Sequence, residues 1–163
     1  MKNISLILLV FFFISCSKTE KFDLYISNTD YNFNVETGEF RIDWYKNYKT
    51  IVEFSKDEKE QLNKLVYKYK IENLTGENYV YGIENLIMPN FNDEISLTTE
   101  NKLKSKIFIS TQVNLEKTKL NKTEIDIFKF KEELFILLNK NKNFKINMDT
   151  LEIAKKTDKR LFM

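Results

Sequence analysis

Apolar and polar side chains alternate along this chain in two blocks, and each block ends in a segment with helical spacing. In the first block, apolar residues at every second position predict a hairpin over residues 31–45. Thr37 and Gly38 supply its turn. A further strand is expected over residues 48–54, and an edge strand over residues 23–27. The first block thus predicts an antiparallel sheet.

An amphipathic helix follows over residues 56–70. Ser55 and Glu58 have the spacing of a capping box, in which each side chain accepts a hydrogen bond from the other residue's backbone N–H. The apolar positions behind it recur at helical spacing, namely Leu62, Leu65, Val66 and Tyr69.

The second block repeats this plan with strands over residues 94–99 and 104–111. A second helix is expected to begin at Thr123, with Asp126 as the capping-box acid. Its apolar stripe consists of Ile127, Phe130, Leu134, Leu137 and Leu138.

The end of the chain gives a weaker pattern. Phe144, Ile146 and Met148 alternate with polar residues, which predicts a closing strand. Residues 149–163 form either a short helix capped by Asp149 or a frayed tail. Few helices after runs of hairpins indicate an α+β fold, a mostly antiparallel sheet with two amphipathic helices packed on one face.

Periodicity fails over residues 72–93, apart from a short strand expected at residues 79–83. Long irregular connections in compact domains are often functional. Tyrosine beside asparagine makes a good recognition surface, so we consider Tyr79, Tyr81, Asn90 and Phe91 a possible partner-binding site. The alternative, which we prefer, is a connecting loop that packs its aromatic rings on the sheet edge.

Two other clusters allow two interpretations each. Trp44 and Tyr45, with Tyr48, form either an exposed aromatic patch or, as we prefer, part of the core with the tyrosine hydroxyls reaching solvent. The basic run over residues 155–160 either touches anionic lipid or, more commonly for such runs, is a solvated tail.

The N-terminus has the pattern of a secretory signal peptide. Lys2 precedes an apolar stretch over residues 4–14, which is too short to span a bilayer. Phe13-Ile14-Ser15-Cys16 resembles the lipobox of bacterial lipoproteins, with Phe13 where an aliphatic residue is usual. The resemblance implies a signal peptide over residues 1–15 and lipidation of Cys16, which would anchor the chain in the bilayer.

By that resemblance, residues 16–21 are the lipidated N-terminus and tether, and residues 22–163 are a single α+β domain. Ser17 is not the aspartate that is associated with inner-membrane retention. We therefore expect a lipid-anchored protein of the cell envelope, with the outer membrane favoured.

The amino-acid composition argues against several kinds of functional site. The chain contains no histidine, one cysteine, and 26 basic against 24 acidic residues. A lipidated Cys16 leaves no thiol for catalysis or metal binding, and the nearly balanced charge does not favour nucleic acid. We expect no cofactor, no metal and no enzymatic activity, although two carboxylates alone can hydrolyse glycosides.

These observations lead to three functional hypotheses. The first is a non-enzymatic envelope lipoprotein whose domain binds another envelope protein or has a structural role. The second is an inhibitor or immunity-type lipoprotein that blocks a toxin or hydrolase. The third is a hydrolase that uses carboxylates only.

Overall fold

The computed structural model describes residues 21–81, 91–110, 113–116 and 118–157. Of residues 91 and 92 it describes the backbone only. This part of the chain forms seven strands, three α-helices and a 3₁₀ turn at Ile71–Asn73. The strands are β1 (Asp23–Ser27), β2 (Asn32–Asn34), β3 (Glu39–Ile42), β4 (Tyr48–Ile51), β5 (Gly76–Val80), β6 (Phe91–Thr99) and β7 (Lys102–Ser110). The helices are α1 (Lys56–Lys68), α2 (Lys122–Lys140) and α3 (Lys142–Thr157).

All seven strands belong to one sheet, in the order β4-β3-β2-β1-β6-β7-β5. Every neighbouring pair is antiparallel except β5 and β7, which are parallel. The α+β class and the mostly antiparallel sheet are therefore confirmed. β1 has the predicted bounds but lies in the centre of the sheet, because β6 pairs with it along its whole length.

One face of this sheet carries the core. Alternate side chains of the strands are buried on that face, where the helices cover them. Phe144 of α3, for example, packs against Phe33 and Phe40 with ring centroids 5.1 and 6.0 Å apart. The buried apolar residues of the strands are Leu24, Ile26, Phe33, Phe40, Ile42, Val80, Ile95, Leu97, Ile107 and Ile109. The other face of the sheet is left without helices from the described ranges.

Turn chemistry fixes the two predicted hairpins. Gly38 has a φ of +73°, and a Cβ there would lie 2.1 Å from the carbonyl oxygen of Val52, so only glycine fits. Glu100 and Asn101 both have positive φ, as a two-residue hairpin turn requires.

The first predicted helix cap is confirmed. The cap of the second helix lies two residues earlier than expected, at Asn121 and not at Thr123. Ser55 and Glu58 make both hydrogen bonds of the capping box at the start of α1. The capping box of α2 uses Asn121 and Glu124. Asparagine, like threonine, has a side-chain oxygen that can accept a hydrogen bond at an N-cap. The Asn121 Oδ1 accepts one from the Glu124 N–H at 3.0 Å.

The closing strand predicted over residues 144–148 is wrong, because these residues lie inside α3. The buried positions of α3 are Phe144, Asn147, Leu151 and Ala154, which have helical spacing. Ile146, which the alternating pattern placed in the core, is exposed. The buried polar Asn147 broke the apolar periodicity that would have indicated a third helix.

Asn141 forms the joint between α2 and α3. Its Oδ1 accepts hydrogen bonds from the N–H groups of Asn143 and Phe144, at 3.0 and 3.1 Å. Its Nδ2 donates to the carbonyl oxygen of Glu53 and to the Glu58 carboxylate. One buried amide thus caps α3 and attaches it to the segment between β4 and α1.

Asn147 attaches α3 to the edge strand β4. Its Oδ1 accepts from the Tyr48 hydroxyl at 2.8 Å and from the Thr50 hydroxyl at 2.9 Å. Its Nδ2 donates to the carbonyl oxygen of Asn143, so both ends of the buried amide are satisfied.

We predict that Asn141→Ala lowers the free energy of unfolding by about 1–3 kcal/mol, because it removes a helix cap and leaves buried groups unpaired. Asn139→Ala is the matched control, since exposed Asn139 donates only to the carbonyl oxygen of Phe135. Urea denaturation measures both variants. Equal losses for the two would contradict the role assigned to Asn141.

Candidate interaction surface

The face of the sheet opposite the helices is lined by polar side chains that neutralise one another. Near β4, the Glu39 carboxylate lies 2.6 Å from the Lys49 ammonium. Arg41 contacts Asp43 at 2.7 Å on the same side. Such exposed pairs contribute little to stability, and they leave few strong charges to attract a ligand.

Aromatic rings replace these charges at the other side of the open face, on β5 and β7. The Tyr79 and Phe108 rings are stacked with centroids 4.8 Å apart, and the Tyr79 and Tyr81 rings are stacked at 5.8 Å. We call these three residues the aromatic patch. Tyr79 is 36% exposed and Tyr81 49% exposed, so part of the stack is accessible to solvent.

Carboxylates border the aromatic patch. The Tyr79 hydroxyl donates to the Glu77 carboxylate, and this hydrogen bond raises the pKa of Tyr79. Glu94 pairs with Lys106 at 2.8 Å on the neighbouring strands, which raises the pKa of Lys106. Tyrosine rings beside a carboxylate suit a cationic side chain, which the ring faces and the acid both attract.

The structure brings together two of the four residues considered from sequence as a partner site. Tyr79 and Tyr81 share the patch, whereas Asn90 lies outside the described residues and Phe91 is described only as the first backbone position of β6. Phe108 was missed. Its signal was present in the sequence, because it alternates with the buried Ile107 and Ile109 and so shares a face with Lys106.

The cluster of Trp44, Tyr45 and Tyr48 packs against the core, which is the interpretation preferred from the sequence. Trp44 and Tyr45 lie in the turn between β3 and β4, half-buried against the core. The Trp44 indole N–H donates to the carbonyl oxygen of Asp30 at 2.8 Å. In the basic run, Lys155 forms an ion pair with Asp30 at 2.6 Å, whereas residues 158–163 lie outside the described ranges.

A cavity of about 580 Å³ opens between the start of β1 and α1. Its lining includes apolar side chains such as Phe22 and Leu62 and the carboxylates of Asp23, Glu36 and Glu60. Burial raises the pKa of Asp23, the nearby Glu36 raises it further, and Lys59 opposes them.

Two negative findings apply to the described ranges. There, no three Asp, Glu or Cys side chains lie close enough together to hold a metal ion. None of the helices in those ranges is long and apolar enough to cross a membrane. Cys16 falls within residues 1–20, outside the described part, so its lipidation stays a prediction.

Comparison of the chain with models of protein families, with curated proteins and with solved structures found no match in any of the three.

We predict that the pKa of the Asp23 carboxyl lies above 3.8 and responds to its charged neighbours. Glu36→Gln should lower it and Lys59→Met should raise it, because these side chains act on it through their charges. A folded-state pKa above the unfolded value means that the contribution of Asp23 to stability falls as the pH rises through that interval. Carboxyl ¹³C NMR titration measures the shifts.

Glu60→Gln is the control for these titrations, because Glu60 lines the same cavity without being a cause of the Asp23 shift. An Asp23 pKa at or below the ordinary value, or one that follows Glu60 rather than Glu36, would contradict the arrangement.

Proposed function

We propose that this protein is a lipid-anchored lipoprotein of the cell envelope whose domain binds another envelope protein through the aromatic patch. The observation that carries this proposal is the exposed stack of Tyr79, Tyr81 and Phe108 on a sheet face that carries ion pairs near β4. Tyrosine is enriched at energetically important positions of protein interfaces, because it buries a large area at small entropy cost.

The border of the patch favours a particular contact from the partner. An Arg or Lys side chain laid across Tyr79 and Tyr81 would contact the aromatic rings and the Glu77 carboxylate together. The partner segment that we propose is therefore basic. An inhibitor or immunity-type lipoprotein is one form of the same function, in which the partner is a toxin or hydrolase.

The anchor is supported by the sequence alone. The only cysteine of the chain follows an apolar stretch at the position where a lipobox places it. Acyl chains on Cys16 would hold the domain at a bilayer, and two or more chains anchor stably. The outer membrane remains the favoured location because Ser17 is not an inner-membrane retention signal.

The partner surface is tested with the domain over residues 18–163, whose described core lies between Phe22 and Ala154. Immobilised domain is incubated with solubilised envelope proteins, and each specifically bound protein is purified for affinity measurements. Tyr79→Ala and Tyr81→Ala should each weaken the true partner about tenfold or more, as interface tyrosines commonly do.

Tyr25→Ala is the matched control, because Tyr25 is 37% exposed on the same sheet face but outside the patch. Retention of every partner by the Tyr79 and Tyr81 variants, or equal loss with Tyr25→Ala, would contradict the proposed surface.

The anchor is tested with Cys16→Ser in the full chain. We expect labelled palmitate to enter the native protein and not the variant, and the leader to be retained in the variant because lipoprotein processing requires the lipidated cysteine. Mass spectrometry that finds a free Cys16 thiol in the mature native protein would refute the lipoprotein assignment.

A second candidate, hydrolysis by two carboxylates, is favoured by the cavity beside α1. Its lining includes Asp23, whose pKa is raised by burial, and Glu36, and two carboxylates are the minimum that glycoside hydrolysis needs. Release of reducing ends from envelope glycans by the native domain, abolished in both Asp23→Asn and Glu36→Gln, would establish it. Absence of release, or release that survives both substitutions, would eliminate it.

A further inference from the structure

The position of β1 limits how the domain sits relative to the proposed anchor. Five Cα-to-Cα steps separate Cys16 from Lys21, so even a fully extended tether spans at most about 18 Å. The end of the sheet at which β1 begins must therefore stay close to any bilayer that holds Cys16. We call it the β1 end, comprising residues 21–23, the hairpin residues 98–104 and the adjoining side of α1.

Pairing within the sheet places these segments together. Asp23 lies opposite Thr98, and Thr98 lies opposite Leu103, so the hairpin between β6 and β7 projects beside the start of β1. α1 adjoins them, because the Asn63 side chain accepts a hydrogen bond from the Phe22 N–H. The cavity between β1 and α1 opens at this end.

The tip of the hairpin combines an apolar side chain with lysines. Leu103 is 56% exposed and stands between Lys102 and Lys104. The Lys104 ammonium lies 5.1 Å from the centroid of the Phe22 ring. An apolar side chain flanked by lysines suits the headgroup region, where the hydrocarbon enters and the ammonium groups stay at the polar boundary.

The charges around this tip favour an anionic surface. Its cations are Lys21, Lys64, Lys102 and Lys104, and its acids are Asp23 and Glu100. On α1, Lys59 is paired with Glu36 at 3.3 Å and Lys56 approaches Glu60 at 4.0 Å. The remaining excess is positive, and a lysine near an anionic bilayer gains about 1 kcal/mol, a factor of about five.

The basic run begins with Lys155, which is paired with Asp30 beyond the far end of β1. A five-residue strand is about 17 Å long, so Lys155 lies on the side away from the tether.

We propose that the β1 end docks on anionic phospholipid headgroups, with Leu103 inserted at the boundary and Lys21, Lys64 and Lys102 around it. This inference rests on the proposed lipidation of Cys16. In the docked domain, the strands extend away from the bilayer. The aromatic patch then lies far from the lipid, because Tyr79 pairs with Phe108 near the end of β7 that is farther from the hairpin tip.

The test uses the full-length lipidated protein in vesicles of phosphatidylcholine with phosphatidylglycerol. Because Cys16 is acylated, an added cysteine takes a single environment-sensitive fluorophore. Leu103→Cys reports on the β1 end, and Ile153→Cys is the matched control, since Ile153 is 59% exposed on α3. We expect quenching by lipid-borne quenchers at position 103 only, and its loss in pure phosphatidylcholine.

A triple variant, Lys21→Gln with Lys64→Gln and Lys102→Gln, should reduce the ratio of docked to undocked protein about a hundredfold, near fivefold for each lysine. Its control replaces the exposed lysines Lys129, Lys145 and Lys156 with glutamine, which changes the net charge equally. Equal effects of the two triple variants would overturn the proposed site.

The outcomes separate docking from anchoring. Native protein that does not float with vesicles refutes the lipid anchor and with it the docking. Protein that floats while positions 103 and 153 are quenched equally, or while position 153 is quenched more, refutes docking alone.

Discussion

Burial of a single sheet face is the constraint on which the rest of the structure depends. In the described part of the chain, seven strands in one sheet produce a wide apolar surface, and three helices cover it. Rings and aliphatic side chains from distant strands meet there, as when Phe33 and Phe40 contact Phe144. With one face used for stability, the opposite face is available for other roles, and it carries the ion pairs and the aromatic patch.

Two buried asparagines decide how the helical layer attaches to that sheet. Asn141 joins α2 to α3 and to the segment before α1, and Asn147 attaches α3 to β4. A buried amide without partners would leave its hydrogen bonds unmade and lower the free energy of unfolding. Each asparagine therefore favours the one arrangement of neighbours that satisfies it. Apolar residues at these positions would pack, but they would not define the angle between the helices.

The proposed roles of the two ends are compatible because the strands separate them. β1 begins at the tether, whereas Tyr79 pairs with Phe108 at the distal part of the sheet. Docking through Leu103 would keep the aromatic patch away from the lipid and accessible to a protein in the surrounding compartment. The same rigid sheet would thus orient the recognition surface relative to the anchor.

Local patterns in the sequence were sufficient for the elements that depend on neighbouring residues. The capping box of Ser55 and Glu58 was predictable because it joins residues three apart, and the turn at Gly38 was predictable because its positive φ favours glycine. The aromatic patch was only half predictable, since Tyr79 and Phe108 meet through a parallel pairing between strands distant in sequence.

Tertiary structure alone decided the central position of β1 and the third helix. A strand's own residues specify its faces but not its partners, so only the pairing with β6 moved β1 from the edge to the centre. In α3, a polar Asn147 occupies a core position because the Tyr48 and Thr50 hydroxyls satisfy it, and those partners lie about a hundred residues away in the sequence.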